Sequence, residues 1–187
     1  MIFETTPSQT VGPYFAIGLP FDVGPFVVPD GTPGAIRITG TIYDGAGEPI
    51  PDFLLETWQA DGDGHFADVH GHGGPSQLDG FRGFARYGLE DGDGSFDIVT
   101  VKPGSVPGLA GTIQAPHIDV SLFARGMLHR SVTRIYFADE VQANAGDPVL
   151  ARVPVERRAT LLAEPVEGGY QFDIRFQGPH ETVFFAV

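Results

Sequence analysis

The sequence contains no cysteine among its 187 residues. Disulfide bridges, thiolate metal ligands and a cysteine nucleophile are therefore excluded. Basic residues are scarce as well: 11 Lys and Arg stand against 24 Asp and Glu, which gives a formal net charge of −13. Because nucleic acids and anionic membranes are polyanions, this charge disfavours both as partners. A solvated acidic surface and a basic partner chain are the two explanations that composition leaves open.

Long apolar runs are also missing. No stretch reaches the roughly 18 apolar residues that a membrane span requires. The N-terminal segment MIFETTPSQT carries an acidic residue where a signal peptide would be basic. We therefore expect a cytoplasmic protein, and the lack of cysteine suits a reducing compartment. What the sequence does have is 26 Gly and 16 Pro, which divide it into short apolar stretches, a pattern typical of strands joined by turns.

Alternation of apolar and polar residues predicts most of the secondary structure. It is clearest in 170–176, where four apolar side chains share one face, and it recurs in 36–43. Only 155–163 has the composition of a helix. Further strands are predicted over 53–60, 95–101, 117–124, 131–137 and 181–186. The pattern predicts an all-β fold: an antiparallel β-sandwich with long loops and at most one or two short helices, forming a single domain over residues 1–187.

The tetrapeptide D-G-x-G occurs three times and could suggest calcium binding. An EF-hand loop needs glycine at its sixth position and glutamate at its twelfth. Counted from Asp61, those positions hold Phe66 and His72, so the EF-hand pattern fails. Asp-Gly pairs between strand-like segments are instead typical of tight turns. We therefore predict turns at 44–47, 61–64 and 91–94.

Histidines offer two candidate metal positions. His70 and His72 lie in the Gly-rich segment 65–74, but no third ligand follows at a suitable spacing, so we predict a surface loop. His117 and Asp119 share one face of a predicted strand. This pair could bind a metal or could be a simple hydrogen-bonded pair.

Six segments resemble the intradiol ring-cleaving dioxygenases, and in particular the two-subunit members of that family that cleave protocatechuate. The segments are TPSQTVGPYF at 6–15, FLLETWQAD at 53–61, TVKPG at 100–104, APHIDVSLFARG at 115–126, RIYFAD at 134–139 and FDIRFQGPHETVFF at 172–185. The resemblance implies a non-haem Fe(III) enzyme of aromatic catabolism, whose iron is held by two tyrosinates and two histidines. Hard anionic oxygen donors suit ferric iron.

This chain departs from the family at the residues that hold the iron. The resemblance places the four ligands at Phe66, Val106, His117 and Asp119, and a catalytic arginine at Gln114. Phe and Val have no donor atoms, so a ferric site cannot form in the usual way. The resemblance therefore implies a chain with no catalytic residue and no bound metal of its own. The Fe(III) would belong to a partner β subunit.

The resemblance further implies that this chain lines the partner's active site, with an N-terminal arm, residues 1–34, that contacts the partner and the pocket. It assigns five residues to the bound substrate: Thr10, Gly12, Pro13, Tyr14 and Arg125. Arg125 would face the carboxylate that protocatechuate carries and catechol lacks. From the residues alone, 10–14 could equally be a turn that only packs, and Arg125 a solvated surface charge.

Two alternatives to the partner-subunit hypothesis remain at this point. A self-sufficient dioxygenase would need ligand tyrosines elsewhere, and of the five tyrosines only Tyr87 is predicted to lie near Phe66 and His117. A metal-free homomer that acts as a binding or scaffold protein would need neither a ligand nor a partner. The retained segment 6–15 together with Arg125 argues against such a scaffold.

Overall fold

The computed structural model describes residues 9–12, 14–67, 75–88 and 92–186. In these ranges the strands are β1 Ala35–Tyr43, β2 Phe53–Trp58, β3 Phe84–Gly88, β4 Ser95–Val101, β5 Val106–Pro107, β6 Ile113–Gln114, β7 His117–Ala124, β8 Ser131–Phe137, β9 Leu162–Val166, β10 Gly169–Gln171 and β11 Ile174–Arg175. The helices are α1 Phe15–Gly18 and α2 Val141–Gly146, with 3₁₀ turns at Leu109–Gly111, Leu150–Arg152 and Val155–Leu161.

One sheet of nine strands dominates the fold. Its order is β11-β1-β10-β9-β8-β7-β2-β3, with β4 paired to β1, while β5 and β6 form a separate small hairpin. The predicted all-β class with short helices is confirmed. Pairing is mostly antiparallel, but β1–β10, β1–β11 and β8–β9 are parallel. Apolar and polar residues alternate along a strand whether the neighbouring strand is parallel or antiparallel. The sequence pattern alone therefore did not predict these parallel pairs.

The predicted strand 170–176 is present but interrupted. Its residues form β10 and β11 along the same edge of β1, with a break at Phe172 and Asp173. At the break an Asp173 carboxylate oxygen accepts the Thr41 N–H at 3.1 Å, which replaces one bond of the backbone ladder. The predicted buried face is confirmed by Tyr170, Phe172 and Ile174, all of which lie in the core.

Two predicted elements differ at the C-terminal end of the chain. The helical composition of 155–163 produces only a 3₁₀ turn, Val155–Leu161, because the next two residues join the sheet in β9. The predicted strand 181–186 forms no strand in the described residues. It still runs beside β8, where the Phe185 N–H donates to the Val132 carbonyl at 2.8 Å. In the same place the Thr133 hydroxyl donates to the Val183 carbonyl at 2.8 Å.

The predicted Asp-Gly turns are confirmed at the first two positions. Asp44 accepts the N–H groups of Ala46 and Glu48 on one carboxylate oxygen. Asp61, which is buried, accepts those of Asp63 and His65 at 3.0 and 2.9 Å. These are turns in which the side chain of Asp caps its own loop. Part of the third turn, 91–94, lies outside the described residues, as do His70 and His72.

Among the residues that the structure describes, no helix has the length and apolar character needed to cross a bilayer. The core lies between the inner faces of the sheet, where side chains from β1, β4, β7 and β8 pack together. Strand β7 runs through the middle of this sheet, between β2 and β8. Its two ends carry the two sets of residues that the sequence singled out.

Candidate functional site

Strand β7 separates the degenerate metal positions from the predicted substrate residues. It runs for eight residues, from His117 to Ala124, which spans roughly 23 Å at about 3.3 Å per residue. His117 and Asp119 lie at its beginning, and Arg125 follows its end. The residues predicted to serve a partner's substrate are therefore far from this chain's own ligand positions.

His117 is a buried histidine whose ring is held by a backbone carbonyl. Its side chain is 8% exposed, and its Nδ1 lies 2.7 Å from the Ala115 carbonyl oxygen, an acceptor that requires a proton on Nδ1. Its Nε2 lies 3.9 Å from an oxygen of Asp119, too far for a hydrogen bond. Burial, and then the positive charge of Arg134, hold the pKa of His117 below its usual value.

Arg134 occupies the centre of this region, in a role that no sequence motif indicated. Its Nε donates to Asp119 at 2.8 Å, and its Nη1 donates to the Gln114 side chain at 2.7 Å and to the Tyr136 hydroxyl at 3.3 Å. Strand register explains the approach, because Arg134 is the β8 partner of Asp119 on β7. A permanent cation thus lies beside a residue at a lost ligand position.

Of the two remaining ligand positions, Phe66 follows a tight turn and Val106 begins β5, and the segments that lead to them approach each other closely. Phe66 stacks on Trp58, with ring centroids 6.1 Å apart. A Cβ on Gly64 would come within 2.4 Å of the Ser105 carbonyl oxygen, so the turn that leads to Phe66 can approach the start of β5 only because residue 64 is glycine. Val106 itself is buried. Both positions are filled by packed apolar side chains.

The donor set does not fit ferric iron. Two of the four positions lack donor atoms, Asp119 is engaged by a guanidinium, and His117 offers one neutral nitrogen. Within the described parts of the chain, no group of three His, Cys, Asp or Glu side chains is placed to hold a metal ion. Bringing a trivalent cation next to Arg134 would add strong repulsion at short range. The region contains a hydrogen-bonded arginine network instead.

The tyrosine nearest to His117 is not the one that the sequence suggested. Tyr87 lies on β3 opposite Leu55 and stacks on Phe53, so its predicted position near His117 was wrong. Tyr136 is the β8 partner of His117, with ring centroids 5.7 Å apart. Burial raises the pKa of Tyr136, although Arg134 opposes the shift. The phenol is therefore neutral, not the tyrosinate that a ferric ligand would require.

Asp147 completes the network and was missed by sequence reasoning. It is fully buried. It accepts the N–H of Ala115 at 2.8 Å, those of Val149 and Leu150 at 2.8 and 2.7 Å, and the Tyr136 hydroxyl at 3.2 Å. Four donors from three segments of the chain thus meet on one carboxylate. No sequence motif around residue 147 indicated that this aspartate is buried.

The buried His117 should make stability depend on pH. Because its folded-state pKa is lowered, the unfolded chain binds an extra proton once the pH falls below about 6.5. Stability should therefore be unaffected by His117 above that pH and should fall as the pH drops toward the folded-state pKa, by at most about 1.4 kcal/mol per pH unit. His117→Gln should reduce this slope in urea titrations between pH 6.5 and 5.5. The exposed His180→Gln is the control, and equal slopes in both variants would contradict the assignment.

At the other end of β7, the structure brings part of the predicted substrate set together. The Thr10 hydroxyl accepts the N–H of Gly126, the neighbour of Arg125, at 3.0 Å. Arg125 is 61% exposed, and its Nε pairs with Asp52 at 3.0 Å. The Gly12 carbonyl accepts the Phe15 N–H at the start of α1. Pro13 lies outside the described residues.

The segment from 14 to 23 exposes an unusual amount of apolar surface. Five large side chains lie on it: Tyr14 at 77% exposure, Ile17 at 47%, Leu19 at 45%, Phe21 at 41% and Val23 at 55%. Several large apolar side chains exposed on one segment are typical of a surface that another protein covers. It directly follows Thr10 and Gly12, so the predicted pocket wall and this apolar strip are continuous in sequence.

Comparison with known proteins places the chain in a family. The family model described as Dioxygenase matches residues 10–178. The chain belongs to this dioxygenase family. The resemblance found in the sequence motifs is thereby confirmed.

The chain is similar to both kinds of chain of protocatechuate 3,4-dioxygenase. The protocatechuate 3,4-dioxygenase alpha chain of Burkholderia cepacia is 44% identical, and the match covers 98% of this chain and 98% of that protein. The alpha chain from Pseudomonas putida is 42% identical over 98% of this chain and 97% of its own length. The beta chain from Burkholderia cepacia is 34% identical over 79% of this chain and 66% of that protein.

Solved structures of dioxygenases share the fold. The dioxygenase domain of a dioxygenase carbohydrate-binding protein fusion from Streptomyces sp. SirexAA-E matches with a TM-score of 0.53 at 25% identity, over 92% of this chain and 96% of that one. Catechol 1,2-dioxygenase from Acinetobacter sp. ADP1 matches with a TM-score of 0.60 at 19% identity, over 80% of this chain and 55% of that one. At such low identity the second match concerns the fold alone.

Proposed function

We propose that this chain is the iron-free α subunit of a protocatechuate 3,4-dioxygenase. One combination of observations carries the proposal. The chain is 44% identical to an alpha chain of that enzyme over nearly its whole length, and its own ligand positions hold a guanidinium network that does not fit ferric iron. A dioxygenase chain of this kind requires a partner for its chemistry.

The proposed reaction is the intradiol cleavage of protocatechuate by O2 in the cytoplasm, as a step of aromatic catabolism in the β-ketoadipate pathway. The carbon–carbon bond between the two hydroxyl-bearing carbons breaks, and both oxygen atoms of O2 enter the product, 3-carboxy-cis,cis-muconate. A ferric ion held by the β subunit would bind the diol and make it reactive toward O2. This chain would contribute to binding and orientation only.

Arg125 is proposed to bind the substrate carboxylate across the subunit boundary. Its Nε is held by Asp52, while its two Nη groups have no hydrogen bond to any residue in the described ranges. A guanidinium held at one side and open at the other is suited to pairing with a carboxylate. The Thr10 hydroxyl accepts a hydrogen bond from Gly126, the residue after Arg125. The N-terminal arm and Arg125 would therefore reach the partner's pocket together.

The N-terminal arm, residues 1–34, is proposed to dock on the β subunit, with Thr10, Gly12, Pro13 and Tyr14 forming a wall of its active site. The apolar strip from Tyr14 to Val23 supports this docking, because its exposed area would be buried by a partner chain. The rest of the chain would form a single domain with the arm. In this arrangement Arg125, whose neighbour Gly126 contacts the arm through Thr10, would lie at the edge of the partner's active site.

Reconstitution tests the proposal. The purified chain should be colourless, contain no stoichiometric iron and lack turnover of protocatechuate. Co-expression with the β chain encoded in the same genome should give a coloured ferric complex that cleaves protocatechuate and contains one iron per pair of chains. Stoichiometric iron with turnover in this chain alone would refute the proposal. A monodisperse homomer that does not associate with the β chain would instead support the scaffold hypothesis.

A further inference from the structure

A cleft of about 620 Å³ opens at the His117 end of the sheet. Its volume falls within the roughly 300–1,000 Å³ that small-molecule sites occupy. Apolar side chains form most of its wall, among them Leu109, Val149, Val153 and Phe185, and Arg134 and Arg152 contribute the charge. None of the described residues that line it is acidic. This is notable in a protein whose formal net charge is −13.

Arg134 presents a donor to the cleft in a fixed position. Its side chain is 19% exposed and is held by Asp119, Gln114 and Tyr136 through Nε and Nη1. Its Nη2 makes no hydrogen bond to any residue that the structure describes. Because the guanidinium is already immobilised, a ligand that bonds to Nη2 would not have to order this side chain.

Arg152 supplies the unbalanced charge. The positive charge of Arg134 is offset by its ion pair with Asp119, whereas no described acidic group lies within ion-pair distance of Arg152. Arg152 ends the 3₁₀ turn Leu150–Arg152, whose first N–H is held by the buried Asp147. The backbone that carries this cation is therefore anchored to the same network as Arg134.

We propose that this cleft binds a small organic anion, an apolar ring or short chain that carries a single carboxylate. The apolar wall would take the body of the ligand, and the two guanidinium groups would take the carboxylate. Inorganic phosphate would satisfy the charges but leave the apolar wall uncovered. The inference goes beyond the proposed function, because it assigns a binding role to the region where this chain has no ferric site.

A titration with 4-fluorobenzoate, followed by its fluorine NMR signal, tests the proposal on the full chain at pH 7. Saturable binding is expected, and Arg152→Gln should weaken it by about tenfold, because a charge-assisted contact is lost. Arg37→Gln makes the same charge change at an exposed arginine elsewhere and should leave binding unchanged. Val149→Phe should abolish binding without any change of charge, because it fills the cleft.

Two further measurements can overturn the proposal. The neutral 4-fluorobenzyl alcohol should bind far more weakly than 4-fluorobenzoate. Phosphate should compete poorly with 4-fluorobenzoate. Strong competition by phosphate would show that the site recognises negative charge alone and would overturn the proposal. The same titration should be repeated on the complex with the β chain. Binding of 4-fluorobenzoate that is sensitive to Arg152→Gln should be present there as well. Its loss there would show that the partner covers the cleft, with exposed Leu109 and Val155 in the contact. Neither result affects the reconstitution test.

Discussion

Replacing Asp147 with alanine should lower the free energy of unfolding by about 3–5 kcal/mol. The carboxylate is fully buried and accepts hydrogen bonds from three backbone N–H groups and the Tyr136 hydroxyl. Alanine would leave all four donors buried without their acceptor, and each unsatisfied group costs roughly 1–3 kcal/mol, though such losses do not add fully. Urea unfolding measures the change.

Two matched variants separate the hydrogen bonds of Asp147 from its charge. Asp147→Asn retains the shape and one acceptor oxygen, so it should cost less than Asp147→Ala. Asp79→Ala removes an exposed carboxylate and should change stability by no more than about 0.5 kcal/mol. A loss below about 1 kcal/mol for Asp147→Ala would mean that the network around Arg134 does not depend on this residue.

Arg125→Ala should raise the KM of the α/β complex for protocatechuate roughly 10- to 100-fold, while the KM for catechol should change little. The proposed role of Arg125 is to pair with the substrate carboxylate, and a hydrogen bond to a charged group contributes about 1.5–3 kcal/mol. Catechol has no carboxylate and therefore loses nothing. Steady-state kinetics on both substrates with the reconstituted complex measure the difference.

The comparison of substrates is the internal control for Arg125. Arg130→Ala removes a second exposed arginine from the same turn and should affect both substrates little. Asp52→Asn removes the partner of the Arg125 Nε and should cause a smaller, protocatechuate-selective rise in KM, because the guanidinium is held less firmly. Equal losses on both substrates for Arg125→Ala would rule out carboxylate recognition and point to a general effect on the subunit contact.

Much of the fold could be predicted because it follows from local patterns. Alternation identified β1, β7 and β8 nearly to the residue. It also predicted the buried face of 170–176, although Asp173 interrupts that strand by bonding to Thr41. β3 was missed because the residues of FARYG at 84–88 do not alternate strongly. A 3₁₀ turn at Val155–Leu161 forms in place of the predicted helix because the next residues, Leu162 and Ala163, pair with β8 as part of β9.

The candidate site likewise contains residues that could be interpreted from the sequence and residues that could not. Phe66 and Val106 could be recognised as unable to bind iron from their chemistry alone, because a residue's donor atoms do not depend on the fold. The roles of Arg134 and Asp147 could not, because each depends on partners distant in sequence. The register of β7 and β8 places Arg134 opposite Asp119, and Asp147 reaches Ala115 across 32 positions.

By itself, the sequence determined the all-β class, the family and the absence of ferric ligands at two positions, since these depend on residue type and local periodicity. Only the tertiary structure decided that a guanidinium occupies the degenerate site, that Tyr136 rather than Tyr87 faces His117, and that Thr10 lies beside Arg125 at the opposite end of β7. The physical reason is that strand register and loop packing set which distant side chains meet, and neither is encoded in any one segment.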